Sequence, residues 1–202
     1  RPSSHSCLFL ILAAASTIVT VLSAHASDIP NGGCIAAERA ALLSFKAGVT
    51  SDPANRIVSW HGHDCCHWSG VRCNNWTGHV IKLDLRNDFS AKDFIGFPKA
   101  RSRSMRGQVS SSLLALQHLK HLDLSGNFLG GEWMPIPDFM GSLERLVYLN
   151  LSNMNFCGRV PPQLGNLSNL VQIDIQRNIM GAGYQYSHDI SWLARLRSLE
   201  HL

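Results

Sequence analysis

"LKHLDLSGN", residues 119–127, places leucine at its first, fourth and sixth positions and asparagine at its ninth. The leucine–x–leucine core has the two-residue period of a strand, so Leu122 and Leu124 face one side while His121, Asp123 and Ser125 face the other. The arrangement returns in "VIKLDLRN" (80–87), "LVYLNLSNM" (146–154) and "LVQIDIQRN" (170–178), and "LEHL" (199–202) begins a fifth copy. Equivalent apolar positions Leu83, Leu122, Leu149, Ile173 and Leu202 are separated by 39, 27, 24 and 29 residues. Helical spacing explains neither the recurring pairs nor the asparagine.

The shortest of those intervals falls in the range of leucine-rich repeats, and the longer ones imply insertions. One unit cannot bury its own apolar edge; stacking successive units builds a continuous core behind a parallel sheet. Asn127 and Asn178 stand where a buried amide can bond turn backbone that would otherwise be orphaned. Met154 takes that place in the third unit and cannot do so, which predicts a locally weaker repeat. The expected fold is α/β: a leucine-rich repeat solenoid with parallel strands on the concave face and a helical, disulfide-stapled cap at the N-terminus. The expected domains are a signal peptide at 1–26, a cap at 27–78 and incomplete repeats at 79–202 with an inserted loop at 87–106. Ending at Leu202 without a closing cap, residues 27–202 alone are expected to aggregate or need a partner.

Outward from the repeats, the composition is that of a folded protein, with 45% hydrophobic residues, 16% charged residues and a formal charge of +4. That charge is too small to argue for nucleic acid. Arg86, Lys92, Lys99, Arg101, Arg103 and Arg106, set against Asp88 and Asp93, account for all of it. An acidic partner is one reading of this run; a solvated loop is the favoured one.

The chain starts "RPSSHSCLFLILAAASTIVTVLSAHAS", with one basic residue, an apolar run from Cys7 to Leu22 and then Ala24-His25-Ala26. This is the layout of a secretory signal cleaved after Ala26, on a sequence expected to lack its initiator end. The run is short for a membrane span and is interrupted by Ser16, Thr17 and Thr20. No later stretch is long and apolar enough to cross a bilayer, so membrane attachment would need a span beyond Leu202.

Secretion bears on Cys34, Cys65, Cys66, Cys73 and Cys157, because an oxidising compartment favours disulfides over thiolate metal ligands. A zinc site would need four converging ligands. Cys65 and Cys66 are adjacent, their side chains tend to diverge, and the nearby histidines show no repairing spacing, so no metal is expected. A bond between these neighbours would close a strained ring. Two pairings remain: Cys34–Cys65 with Cys66–Cys73, or the crossed alternative. His61, His63, His67 and His79 read as surface residues, with a pH-sensitive role left open. Upstream, "CIAAERAALLSFKAGVTSDP" (34–53) predicts a short helix with Ala37, Ala41, Leu42 and Phe45 on one side, ended by Gly48 and Asp52-Pro53. A helix of that length needs docking, here by the disulfides and by Trp60 and Trp68.

"ERAALLSFK" (38–46), "DCCHWSGVRC" (64–73), "TGHVIKLDL" (77–85), "FCGRVPPQLGNLSNL" (156–170) and "LKHLDLSGN" together resemble the N-terminal cap and first repeats of plant extracellular leucine-rich repeat proteins. The receptor-like proteins of the cell surface resemble it most. The resemblance covers residues 34–202. It implies the pairing Cys34–Cys65 with Cys66–Cys73, and a second short flank strand at "GQV" (107–109) and "GRVPPQLG" (158–165). It suits an early insertion at 87–106. Cys157 stands where the family more often has a small polar residue and reads as a half-buried thiol.

The implied function is recognition of an extracellular peptide or protein in defence or development. It would act at the outer face of the plasma membrane after passage through the secretory pathway. A co-receptor or adaptor kinase would carry the signal. A secreted inhibitor of wall-degrading enzymes and the ectodomain of a receptor kinase are the alternatives. No cofactor is implied. No phosphate-cradling glycine loop, G-x-S-x-G, HExxH or EF-hand loop is present, and no catalysis is expected.

The outward strand positions form the candidate ligand face: Lys82, Asp84 and Arg86; Lys120, His121, Asp123 and Ser125; Tyr148, Asn150 and Ser152; Gln172, Asp174 and Gln176. Sequons at Asn75, Asn150 and Asn166 are open to glycosylation. Asn166 lies in a connecting segment, Asn75 lies beside Cys73, and Asn150 falls on the ligand face. Trp133 and Trp192 read as either packing or contact residues.

Overall fold

The computed structural model describes residues 33–88, 102–130, 134–178 and 190–202. The expected signal segment, most of the 87–106 insertion and Trp133 lie outside them. No helix among the described residues is long and apolar enough to cross a membrane.

The cap begins with α1 (Ala36–Ala47), which buries Glu38, Ala41, Leu42 and Phe45. Ala37 is exposed, contrary to the expected apolar face, and the buried position next to it holds a carboxylate. Phe45 packs against Trp60 with ring centroids 6.1 Å apart, and Trp60 stacks on Trp68 at 5.5 Å. Both indoles are satisfied: Trp60 Nε1 donates to the Ser69 carbonyl at 2.9 Å and Trp68 Nε1 to the His61 carbonyl at 2.8 Å. Disulfides join Cys34 to Cys65 and Cys66 to Cys73, across Cα separations of 5.2 and 5.3 Å. Between them, Asp64 Oδ1 accepts from the Cys34 and Cys66 amides.

A short strand, β1 (Val49–Ser51), pairs antiparallel with β4 (Arg106–Gly107). This is the flank pairing expected near 107. It requires glycine, because Gly107 has φ +143° and a Cβ there would meet the Gly48 carbonyl. At 158–165 the chain instead enters a 3-10 helix, Pro162–Asn166. The C-terminal end of the insertion is not solvated: Ser104 and Met105 are buried, and Ser104 Oγ donates to the Gly126 carbonyl at 2.7 Å.

The main sheet runs β2 (Val71–Cys73), β3 (Val80–Asp84), β5 (His121–Asp123), β6 (Tyr148–Asn150) and β7 (Gln172–Asp174). The cap's β2 is antiparallel to β3 and every later pairing is parallel. His201 extends the ladder by a parallel bridge to Gln172. Leu83, Leu122, Leu149 and Ile173 are level across the strands and at most 1% exposed. Opposite the sheet, 3-10 helices recur at Ser111–Ala115, Asp138–Ser142, Pro162–Asn166 and Ser191–Arg195. Their stacking is close: a Cβ on Gly141 would collide with the Gln163 carbonyl. Trp192 is 4% exposed in this layer and is a packing residue. Cys157, read as half-buried, is buried outside both disulfides.

Asn127 Nδ2 donates to its own repeat's Leu124 carbonyl and to the Leu85 carbonyl one repeat back, both at 2.8 Å. Asn178 does the same for Ile175 and Leu151, at 2.9 and 2.7 Å. An amide in place of Met154 would serve Leu151 and Leu124, which these two asparagines already reach. The orphaned backbone expected of the third repeat is therefore absent here. Met154 is fully buried, and its own N–H donates to Asn178 Oδ1 at 2.9 Å.

Candidate ligand-binding face

Because strands alternate, residues between the buried leucines emerge together on the open side of the sheet. Strand register aligns them into rows that run across the repeats. Lys82, His121, Tyr148 and Gln172 are level with one another, as are Asp84, Asp123, Asn150 and Asp174. Two residues further on come Arg86, Ser125, Ser152 and Gln176. The cap adds a residue that the repeat pattern did not suggest: Arg72 on β2 pairs with Lys82 and heads the first row. The alternation in "VRC" is the only trace of it in the sequence.

Lys120 does not join these rows. It is one residue out of register, level with Ile81 and Val147, and its carbonyl accepts from the Val147 and Tyr148 amides. Asp123 is on the row but 1% exposed, and Ser152 is also buried. Their work is internal. Asp123 Oδ1 accepts from the Ser125 amide and hydroxyl at 3.0 and 2.6 Å. Asn150 Oδ1 does so from Ser152 at 3.0 and 2.8 Å, and Asp174 Oδ1 accepts from the Gln176 amide at 3.0 Å. Each side chain thus holds the turn by which the chain leaves its strand.

Tyr148 and His121 stack with centroids 4.2 Å apart and planes inclined by 4°. The tyrosine hydroxyl donates to Asp123 Oδ2 and accepts from Asn150 Nδ2, both at 3.2 Å. Burial, with Asp123 nearby, raises the Tyr148 phenol above its ordinary value. Burial and the Lys82 ammonium lower the His121 imidazole, favouring the neutral ring. Asp84 Oδ2 lies 3.0 Å from Lys82 Nζ, 3.4 Å from Arg86 Nη2 and 3.9 Å from His121 Nε2. Asp84, followed by Asp123, holds the Arg86 guanidinium above its ordinary value.

The sequons differ in setting. Asn75 is exposed in a turn whose Asn74 Oδ1 accepts from the Trp76 and Thr77 amides. Asn166 is exposed at the end of its 3-10 helix. The Asn150 amide is occupied on both sides. Of the cap histidines, His79 is not a plain surface residue. Its Nδ1 lies 2.8 Å from Glu38 Oε1, while Glu38 Oε2 accepts from the Val80 amide, so the buried carboxylate pins α1 to β3. His118 stacks on His79 at 3.8 Å. Glu38, His79 and His118 have metal-ligand chemistry, but the carboxylate is already committed at both oxygens. Cys34, Cys65 and Cys66 are consumed by disulfides.

A parallel sheet stacked repeat by repeat, closed at one end by a disulfide-stapled helix, defines the class. A model of the leucine-rich repeat N-terminal domain matches residues 35–74, and a leucine-rich repeat model matches 118–143 and 145–167. The chain belongs to the plant extracellular leucine-rich repeat proteins. Within that class it is 40% identical over 173 residues to receptor-like protein EIX1 of Solanum lycopersicum, covering 84% of this chain and 16% of the relative. Receptor-like protein 50 of Arabidopsis thaliana is 36% identical, covering 72% and 16%. The leucine-rich repeat receptor-like protein kinase PXC2 of Arabidopsis thaliana is 39% identical, covering 77% and 13%. The chain thus spans about a sixth or less of the length of these relatives. Among solved structures, the BIR2 ectodomain of Arabidopsis thaliana matches with TM-score 0.61 and 25% identity, covering 81% of this chain and 77% of that one. A chain of the Arabidopsis thaliana BIR3–SERK2 complex matches with TM-score 0.61 and 26% identity, covering 80% and 77%.

Proposed function

We propose that this chain is the N-terminal part of a plant cell-surface receptor-like protein that recognises an extracellular peptide or protein, in defence or development, by surface contact without catalysis. The observation that carries the reading is the set of in-register rows. Tyr148, Gln172 and Asp174 stand half-exposed on a sheet whose opposite face supplies all the leucine packing, so they can vary without loss of the core. Similarity to receptor-like proteins supports the cell-surface setting, and similarity to a chain of the BIR3–SERK2 complex supports signalling through a second ectodomain.

The test places the full-length receptor, or its Tyr148→Ala/Gln172→Ala variant, in plant cells lacking it and applies extracellular extracts. A response that the variant loses while still being secreted and folded supports the reading; one that the variant retains removes it. The likeness to PXC2 favours a second reading, the ectodomain of a receptor kinase. The coding sequence downstream decides between a short tail and a kinase.

A further inference from the structure

Antiparallel partners project to the same face with Cβ atoms about 5 Å apart, and like charges so placed repel. Arg72 and Lys82 are such a pair. Lys82 has Asp84 at 3.0 Å, but Arg86 shares the same carboxylate oxygen. Asp88, the other acid, lies 3.0 Å from Arg86 and is 84% exposed. Arg72 has no carboxylate within ion-pair distance among the described residues. These groups surround a cavity of about 360 Å³, with Ser69 and Gly70 also in its wall. The wall is held in place: the Asp84 amide donates to the Gly70 carbonyl at 2.8 Å, and Gly70 (φ +77°) leaves no room for a Cβ against the Asp84 carbonyl.

From this we infer that the cavity over the paired strands β2 and β3, with Arg56 also in its wall, is an anion pocket that seats an acidic group of a peptide ligand. The inference rests on the reading of the open face as a recognition surface and adds the charge and direction of what lies there. An incoming carboxylate would relieve the Arg72–Lys82 repulsion and supply the charge that Asp84 divides among its neighbours. Leading away from the pocket, in register, come the His121–Tyr148 stack and Gln172, a track of flat and amide surfaces with no lysine or arginine in its row among the described residues. The track borders Asp174, which has no cation within ion-pair distance among the described residues. A polyuronate repeats its negative charge along its length and would meet Asp174. A peptide with one acidic end fits both the cationic mouth and the neutral track.

The experiment titrates the secreted ectodomain with three labelled probes, at low and high salt, by fluorescence polarisation. The probes are a flexible peptide ending in glutamates, its glutamine counterpart and a galacturonan oligomer of equal charge. The glutamate peptide is expected to bind about tenfold tighter than the glutamine one, with the advantage shrinking as salt screens it. Arg72→Gln/Lys82→Gln is expected to abolish the advantage. Arg72→Gln alone is expected to melt no lower than the wild type, which shows that the fold is intact. Equal binding of the two peptides, a preference surviving in the double variant, or a galacturonan that binds as well as the peptide would each overturn the inference. The two readings separate cleanly. If the cellular response needs Tyr148 and Gln172 but ignores the pocket variants, the pocket alone falls. If the glutamate preference holds while the response ignores Tyr148 and Gln172, the pocket stands and the recognition track falls.

Discussion

The Asn127 side chain donates to two buried carbonyls and accepts from the Met105 amide at 3.0 Å and from Arg56. Alanine there would strand those groups away from water, at a cost of about 3 kcal/mol in chemical unfolding. The same logic makes the reverse change at Met154 unrewarding. Met154→Asn would bring a second amide to carbonyls already bonded while losing a buried thioether, and is expected to destabilise rather than repair. Histidine titration belongs to this scale as well. Burial first, with Lys82 and His79 respectively, lowers the imidazoles of His121 and His118. A depressed histidine favours the fold above the unfolded-chain value of about 6.5, and the contribution fades as pH falls from there through the folded value. Melting temperature should therefore drop as pH falls from neutral through and below about 6.5. His118→Gln/His121→Gln should flatten that slope; an unchanged slope would contradict the assignment.

Among elements, the two cap disulfides close loops of different length, with separations of 31 residues for Cys34–Cys65 and 7 for Cys66–Cys73. Loop-closure entropy ranks them: removing the first by paired serine substitution is expected to cost about 3.7 kcal/mol and the second about 2.5 kcal/mol. Equilibrium denaturation of the two double variants checks the order. The pairing itself was narrowed by chemistry to two options and then chosen by resemblance to the plant family. In the 3-10 layer the tight point is Gly141. Gly141→Ala pushes a methyl into the Gln163 backbone and should cost about 1–3 kcal/mol, read as a lower melting temperature and secreted yield. Helix α1 was legible by its period, but its face was misjudged by one position. Counting apolar residues favoured Ala37, whereas burial went to Glu38, whose charge is compensated by groups 41 and 42 residues away.

At the scale of the molecule, Glu38 is one of the bonds by which the cap and the repeats act as one body. Glu38→Ala would leave the Val80 amide unpaired beneath the helix and free His79. The cap should then melt separately, turning a single calorimetric transition into two or a broadened one. A single sharp transition at unchanged temperature would show that the disulfides and the Trp60–Phe45 packing suffice.

Repetition made most of this architecture readable in advance. A leucine every second residue, returning at a set interval and closed by asparagine, has one economical burial, and that determines the stacked sheet and its open face. The cap cysteines, too, were legible from local composition as disulfide partners rather than metal ligands. What lies along the chain as spacing could be read; what depends on lateral register between segments could not. Only the assembled sheet placed Arg72 opposite Lys82 and withdrew Asp123 from solvent, whereas Lys120 shares the parity of Leu122 and was off the rows by spacing alone. The reason is physical: burial and electrostatic environment are sums over neighbours brought together by pairing, and a linear pattern specifies which side a residue faces without specifying what stands beside it.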